Sequence, residues 1–166
     1  MTESFPRQRA ATRNFQLGAP RSFTIAPDGQ FVHFLRSAHG RDDVNALWTL
    51  DLAANTERVL ADPRELLADS DDIPAAERSR RERMRETSSG ITAYCCDQSG
   101  MTIAFALAGQ LYVCSVATGD VVALNVAGPV IDPHLSPDGK HIAWSTGAQL
   151  RIITLETGDE RVLTPD

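Results

Sequence analysis

The chain has 166 residues, 42% of them hydrophobic, and a formal net charge of −6. That is enough apolar material for one domain with a real core, and the acidic balance excludes the electrostatic footprint of a nucleic-acid binder. Met1–Arg13 holds no apolar signal core, and no run approaches the length of a membrane span, so a cytoplasmic chain with no membrane partner is expected.

From the N-terminus, Phe23-Thr24-Ile25-Ala26-Pro27-Asp28-Gly29-Gln30-Phe31-Val32 sets two short β-rich runs on either side of a tight turn. Pro fixes φ and Gly accepts a positive φ, while Ile, Val, Phe and Thr are strand formers. The composition predicts strands near 22–26, 31–36, 47–51 and 57–60. The same order returns around Gly100, with strands predicted near 92–96, 101–107, 111–116 and 121–124. It returns again around Pro137-Asp138-Gly139, with strands near 133–136, 140–145, 149–154 and 160–163. Thr118-Gly119-Asp120 and Thr157-Gly158-Asp159 repeat a second turn, and each copy closes on Val59-Leu60, Ala123-Leu124 or Val162-Leu163.

From Gly100 to Gly139 the period is 39 residues, close to the roughly 40–45 residues of a four-stranded propeller blade. The second strand of each copy is apolar on both alternations, as in Ile103-Ala104-Phe105-Ala106, which is how a strand covered on both faces reads. The expected fold is all-β: a partial β-propeller of about three four-stranded antiparallel blades, near 15–60, 91–124 and 130–164. Three blades do not close a ring of four to eight. A strand edge at Leu150–Leu163 or in the first blade is therefore expected to be open to self-association.

The three cysteines lack the spacing of a disulfide framework and read as reduced thiols. Cys95 and Cys96 should point to opposite faces of a strand. A hairpin setting Cys95 against Cys114 is the alternative to three packed small hydrophobes.

One insertion, 61–90, interrupts the repeat. Its first half is acidic (Asp62, Glu65, Asp69, Asp71, Asp72). Its second half, Pro74 to Glu86, is rich in Ala, Glu, Arg and Met, with Glu77 and Arg81 at i,i+4, and predicts a helix over 77–86. The helix has almost no apolar face. It reads either as a solvated surface helix or as a cationic arm carrying five arginines toward an anionic or carbonyl-bearing partner.

Glu77-Arg78-Ser79-Arg80-Arg81-Glu82-Arg83-Met84-Arg85-Glu86, followed by Gly90-Ile91-Thr92, resembles the arginine-rich segment of dipeptidyl peptidase IV-type serine peptidases of the prolyl oligopeptidase family. It is most similar to the cytoplasmic branch of dipeptidyl peptidases 8 and 9 and their bacterial relatives. Phe15-Gln16-Leu17-Gly18-Ala19-Pro20-Arg21, Leu47-Trp48, Asp62-Pro63, Asp132-Pro133 and Glu156 to Thr164 extend the resemblance over essentially the whole chain.

The resemblance implies the N-terminal part of an eight-bladed propeller that covers an α/β-hydrolase domain not contained in this chain. It implies a serine exopeptidase that removes dipeptides from peptide N-termini, with the propeller gating a peptide substrate and no cofactor required. By its place in the Arg-Glu-Arg-x-Arg core, Arg85 would bind a substrate carbonyl, with Arg83 as the alternative.

The chain departs from the family in lacking an adjacent Glu-Glu pair and a Gly-x-Ser-x-Gly elbow. No catalytic residue is therefore assigned. Ser136 occupies the slot of Ala26 and reads as a turn residue. His33, His134 and His141 are not spaced with a nucleophile and a carboxylate, and no metal-ligand spacing appears. The competing reading is a non-enzymatic propeller-like interaction module that works through its rim.

Overall fold

A computed structural model describes residues 4–67 and 89–164. Within it, thirteen strands and two short helices follow one another in chain order. The first helix, α1 (Phe5–Ala11), precedes β1 (Arg21–Ile25), β2 (Phe31–Ser37), β3 (Val44–Asp51) and β4 (Thr56–Ala61). Helix α2 (Pro63–Leu66) and a two-residue strand, β5 (Ser89–Gly90), come next. The second sheet is β6 (Cys95–Cys96), β7 (Thr102–Leu107), β8 (Gln110–Ser115) and β9 (Val121–Leu124). The third is β10 (Ile131–Leu135), β11 (His141–Ser145), β12 (Leu150–Thr154) and β13 (Glu160–Val162).

Each sheet has four strands in an antiparallel meander in sequence order, as a propeller blade requires, and the first adds β5 in parallel beside β3. The predicted helix over 77–86, with Arg83 and Arg85, lies outside the described residues.

The repeated turns are the same turn. Gly29 donates to the Ala26 carbonyl at 2.8 Å, Gly100 to Asp97 at 3.1 Å and Gly139 to Ser136 at 2.9 Å. All three glycines have φ between +68° and +74°. Ser136 is confirmed as a turn residue: its Oγ donates to Asp138 Oδ1 at 2.6 Å and accepts the amide of His141 at 2.9 Å. The Thr-Gly-Asp turns also coincide, with Gly119 donating to Ser115 and Gly158 to Thr154, both at 2.8 Å.

The middle sheet is buried on both faces, which explains its double apolar alternation. Ile103, Phe105 and Cys114 pack against Leu35, Leu47 and Leu60 of the first sheet. On the other face Ala104, Leu111 and Val113 pack against Ile142, Trp144 and Ile153 of the third. Cys95 and Cys96 do face opposite ways, one into each core. Cys95 and Cys114 also lie on opposite faces, which removes the facing-pair alternative; all three thiols are free. Burial raises the pKa of each, Cys96 to about 12 and Cys114 to about 11.

Polar contacts lock the first blade to the second. His33 is fully buried, with Nε2 at 2.8 Å from the Gly100 carbonyl and Nδ1 at 3.1 Å from Thr49 Oγ1. A carbonyl only accepts, so Nε2 carries the proton and Nδ1 accepts from the threonine hydroxyl. The Tyr94 hydroxyl sits 2.6 Å from the Ser22 carbonyl, 2.9 Å from that of His33 and 3.0 Å from Thr24 Oγ1. Its burial raises its pKa to about 12. The guanidinium of Arg58 donates to the carbonyl of Val116.

The His33 site carries a pH signature. Burial, aided by the charge of Arg58, lowers its pKa below 6.5, although the Gly100 carbonyl and Asp97 oppose that. The unfolded chain then takes up a proton that the folded chain resists. The stability that His33 contributes is complete above about pH 6.5 and is lost as pH falls toward the depressed folded value. Thermal melting between pH 8 and pH 5 should show a level plateau above pH 7 and a decline below pH 6.5. In His33→Gln that decline should be shallower, although the variant is less stable at pH 7. An unchanged slope would remove His33 as its source.

Two differences from the sequence expectation have local causes. Helix α1 buries no residue, so no apolar stripe announced it; Pro6 opens its first turn. The strand expected over 92–96 shrinks to Cys95–Cys96 because the chain before it is drawn to the first blade by the Tyr94 hydroxyl.

Candidate functional site

The described residues that bear on the arm are the two points where it leaves and rejoins the propeller. On the outgoing side β4 runs to Ala61, and Asp62 caps α2: its carboxylate accepts the Arg64 amide at 2.9 Å, with Pro63 opening the helix. On the returning side, Ser89 and Gly90 pair in parallel with Val44 and Asn45 of β3. Strand β4 leaves the edge of β3 at Leu47, and β5 takes the same edge from Asn45 onward. The amide of Ser89 donates to the Asp43 carbonyl and that of Ile91 to Asn45, both at 2.9 Å.

The loop between β2 and β3, residues 38–43, ties both ends together. Asp42 is buried, with its side chain 7% exposed. It accepts from the amides of Val44 (3.0 Å) and Ala38 (3.2 Å) and from Arg64 Nη2 at 2.6 Å. Burial alone would raise its pKa, but the Val44 amide and the Arg64 guanidinium outweigh it and hold the carboxyl below its usual value. The adjacent Asp43 binds Ser89 Oγ at 3.3 Å and Arg13 Nη2 at 3.1 Å.

Arg13 opens a left-handed turn, Arg13-Asn14-Phe15, with φ of +49°, +61° and +63°. Beyond it Gly18 donates to Ser37 Oγ at 3.0 Å. The N-terminal segment, the outgoing chain and the returning chain therefore meet at one loop on one rim.

Between the outgoing chain, the returning chain and the β7–β8 turn runs an apolar groove of about 210 Å³, lined by Val44, Pro63, Leu67, Gly90, Leu107 and Ala108, with Arg64 and Ser89. Chemically the root is a clamp. Two adjacent carboxylates are each held by fixed donors: Asp42 by two backbone amides and Arg64, and Asp43 by Ser89 and Arg13.

The structure does not bring the remaining sequence candidates together. His33 is a core residue between blades. His134 lies 3.4 Å from Asp132, with both side chains more than 70% exposed. Among the described residues no three metal-ligating side chains converge, and no helix is long and apolar enough to cross a membrane. Asp42, Asp43 and Arg64 were not singled out from the sequence. Asp62-Pro63 entered only as part of the family resemblance, and no spacing links Arg64 to Asp42, 22 residues away.

No known family model matches the chain. Among solved structures it is similar to TolB from Acinetobacter baumannii, at 17% identity over 90% of this chain and 33% of that one, with a TM-score of 0.53. A TolB-type protein from Agrobacterium tumefaciens matches at 15% identity over 90% of this chain and 49% of that one, with a TM-score of 0.55. The tricorn protease matches at 11% identity, 89% of this chain, 13% of that one and a TM-score of 0.56. These likenesses establish a β-propeller fold and nothing finer. The chain spans a half or less of each of these proteins.

Proposed function

We infer that the chain is the N-terminal portion of the propeller of a serine exopeptidase that removes dipeptides from peptide N-termini. Its arm would present Arg85 to a carbonyl of the bound substrate. One observation supports this most: Leu67 and Ser89 bracket the arginine-rich segment, and both sides of it are anchored to the 38–43 loop. An arm so rooted leaves the propeller from a fixed place on one rim between the first two blades, where a substrate-binding arginine needs to be held. The arginine-rich core with Gly90-Ile91-Thr92 behind it supplies the chemistry, since a guanidinium offers forked donors to oxygen acceptors. The likeness to the tricorn protease, a peptidase by name, agrees with this reading.

The chain alone should be inactive. The described residues contain no nucleophile, base and orienter within reach of one another, and the arm can bind but not cleave. Purified 166-residue protein should release no dipeptide from a Gly-Pro or Ala-Pro chromogenic substrate. Turnover that persists through purification and disappears in Ser136→Ala would overturn this. The reading itself is tested by expressing the longer polypeptide encoded with this propeller and assaying the same substrates. Absence of dipeptide release from a folded, full-length protein would remove it.

A further inference from the structure

We propose that the N-terminal segment, residues 5–18, is a strap that fixes the returning end of the arm, with Arg13 as the positioning residue that acts through Asp43 on Ser89. The coupling stands on geometry alone. Only its consequence, the place at which Arg85 is presented, rests on the peptidase reading.

The segment belongs to none of the three sheets. Helix α1 buries no residue. Phe5 and Phe15 meet each other at 5.9 Å between ring centroids but stay 64% and 54% exposed. Burial of apolar surface therefore does little to hold the segment on its course. That course is nonetheless a costly one. Arg13, Asn14 and Phe15 take left-handed backbone conformations in succession, and none of them is glycine. Such conformations persist only where the surroundings over-determine them.

Polar contacts supply that determination. Within the segment, Arg9 Nε donates to Asn14 Oδ1 at 2.7 Å and the Phe15 amide to Thr12 Oγ1 at 3.0 Å. The contacts that leave it converge on one place. Arg13 Nη2 donates to Asp43 Oδ2 at 3.1 Å, and the Gly18 amide to Ser37 Oγ at 3.0 Å. Gly18 also lies so close to Gly40 that a Cβ on it would sit 2.9 Å from the Gly40 nitrogen. Ser37, Gly40 and Asp43 all belong to the 38–43 loop or to the residue before it.

Asp43 is a bridge because its oxygens are divided. Oδ2 takes Arg13, Oδ1 takes the Ser89 hydroxyl at 3.3 Å, and the Asp43 carbonyl takes the Ser89 amide at 2.9 Å. The outgoing end is built differently. Asp42, with its side chain 7% exposed, has three donors, Val44, Ala38 and Arg64, none of them from the N-terminal segment. Asp43 is 47% exposed and Arg13 33%. A buried carboxylate that loses a partner is left with an uncompensated charge, so the outgoing end is fixed. A half-exposed carboxylate shared between two segments makes a weaker hold, one that depends on the strap.

The test is hydrogen–deuterium exchange, followed amide by amide by NMR on the purified 166-residue chain. Arg13→Ala should speed exchange of the Ser89 amide by about three- to fivefold, the range an exposed ion pair supports. The Leu67 amide, bonded to the Pro63 carbonyl beside α2, and the Gly158 amide in the third sheet should keep their wild-type rates. Asp43→Ala should speed Ser89 at least as much, because it removes both halves of the bridge. Arg13→Lys keeps the charge and should restore most of the protection. A Ser89 amide that holds its wild-type rate in Arg13→Ala overturns the proposal. So does one that accelerates in Asp43→Ala alone, because the carboxylate would then act without the strap. Equal acceleration at Ser89, Leu67 and Gly158 would be a general loss of stability, and failure of Arg13→Lys to rescue would be lost packing; either result removes Arg13 as a positioning residue. These outcomes are the same whether or not the longer protein cleaves peptides, so the strap and the peptidase reading fail separately.

Discussion

Gly90→Ala should cost about 3–4 kcal/mol of stability and lower the melting temperature by about 10 °C. Two separate effects add at this position. Gly90 has φ of +78°, where an L side chain costs about 1 kcal/mol. A Cβ there would also lie 2.5 Å from the Asn45 carbonyl oxygen and 2.9 Å from the Asn45 amide. Both are backbone atoms of β3, and a central strand does not move aside as a flexible side chain would. The pairing of β5 with β3 must open instead. That forfeits the two hydrogen bonds flanking Gly90, each worth about 1 kcal/mol, and disturbs Ile91, which is fully buried.

Gly29→Ala is the control. Its φ is +68°, but nothing lies within 4 Å of the added Cβ, so it should lose only about 1 kcal/mol. Gly100→Ala should fall between them, because its Cβ would meet Ala26 Cβ at 2.9 Å, where one blade's turn packs on the neighbouring blade. Chemical denaturation of the three variants tests the ranking. If Gly90→Ala and Gly29→Ala lose equal stability, backbone conformation alone is at work, and the return strand is not held as tightly as the geometry indicates.

The blades were legible because each strand is encoded locally. The turn Pro27-Asp28-Gly29 punctuates two β-rich runs, and the structure places β1 and β2 within a residue or two of where that grammar put them. The stacking was legible too, since Ile103, Ala104, Phe105 and Ala106 admit no solvent-facing side. The anchor of the arm was not. Asp42 and Asp43 look like ordinary loop carboxylates, and their partners Arg64, Arg13 and Ser89 come from three segments that only the folded chain assembles. Nor does periodicity say what covers an apolar face. Phe34 and Phe105 occupy the same position in the repeat, yet Phe105 is buried by a neighbouring blade while Phe34, 3% exposed, packs against Trp48, Phe23 and the Arg36 guanidinium of its own sheet.

In the full-length enzyme that this reading requires, Arg85→Ala should lower kcat/KM by about ten- to a hundredfold. A charge-assisted hydrogen bond to a substrate carbonyl is worth about 1.5–3 kcal/mol, and its loss appears directly in that ratio. The expectation rests on Arg81-Glu82-Arg83-Met84-Arg85 standing at the family's distance before Gly90-Ile91-Thr92. Gly90 is fixed against β3, so Arg85 is only five positions from a rigid point of the propeller. Arg78, twelve positions away, has much more chain between it and the same anchor, and Arg78→Ala should cost far less. Arg85→Lys should restore activity only in part, because an ammonium keeps the charge and loses the planar fork. Steady-state kinetics with thermal melting as the folding control decides among the outcomes. A folded Arg85→Ala enzyme with wild-type kcat/KM makes Arg85 a solvated surface residue and leaves the arm without its assigned chemistry. A large loss in Arg83→Ala, with Arg85→Ala unaffected, keeps the substrate-binding arm and moves the contact two residues closer to its start.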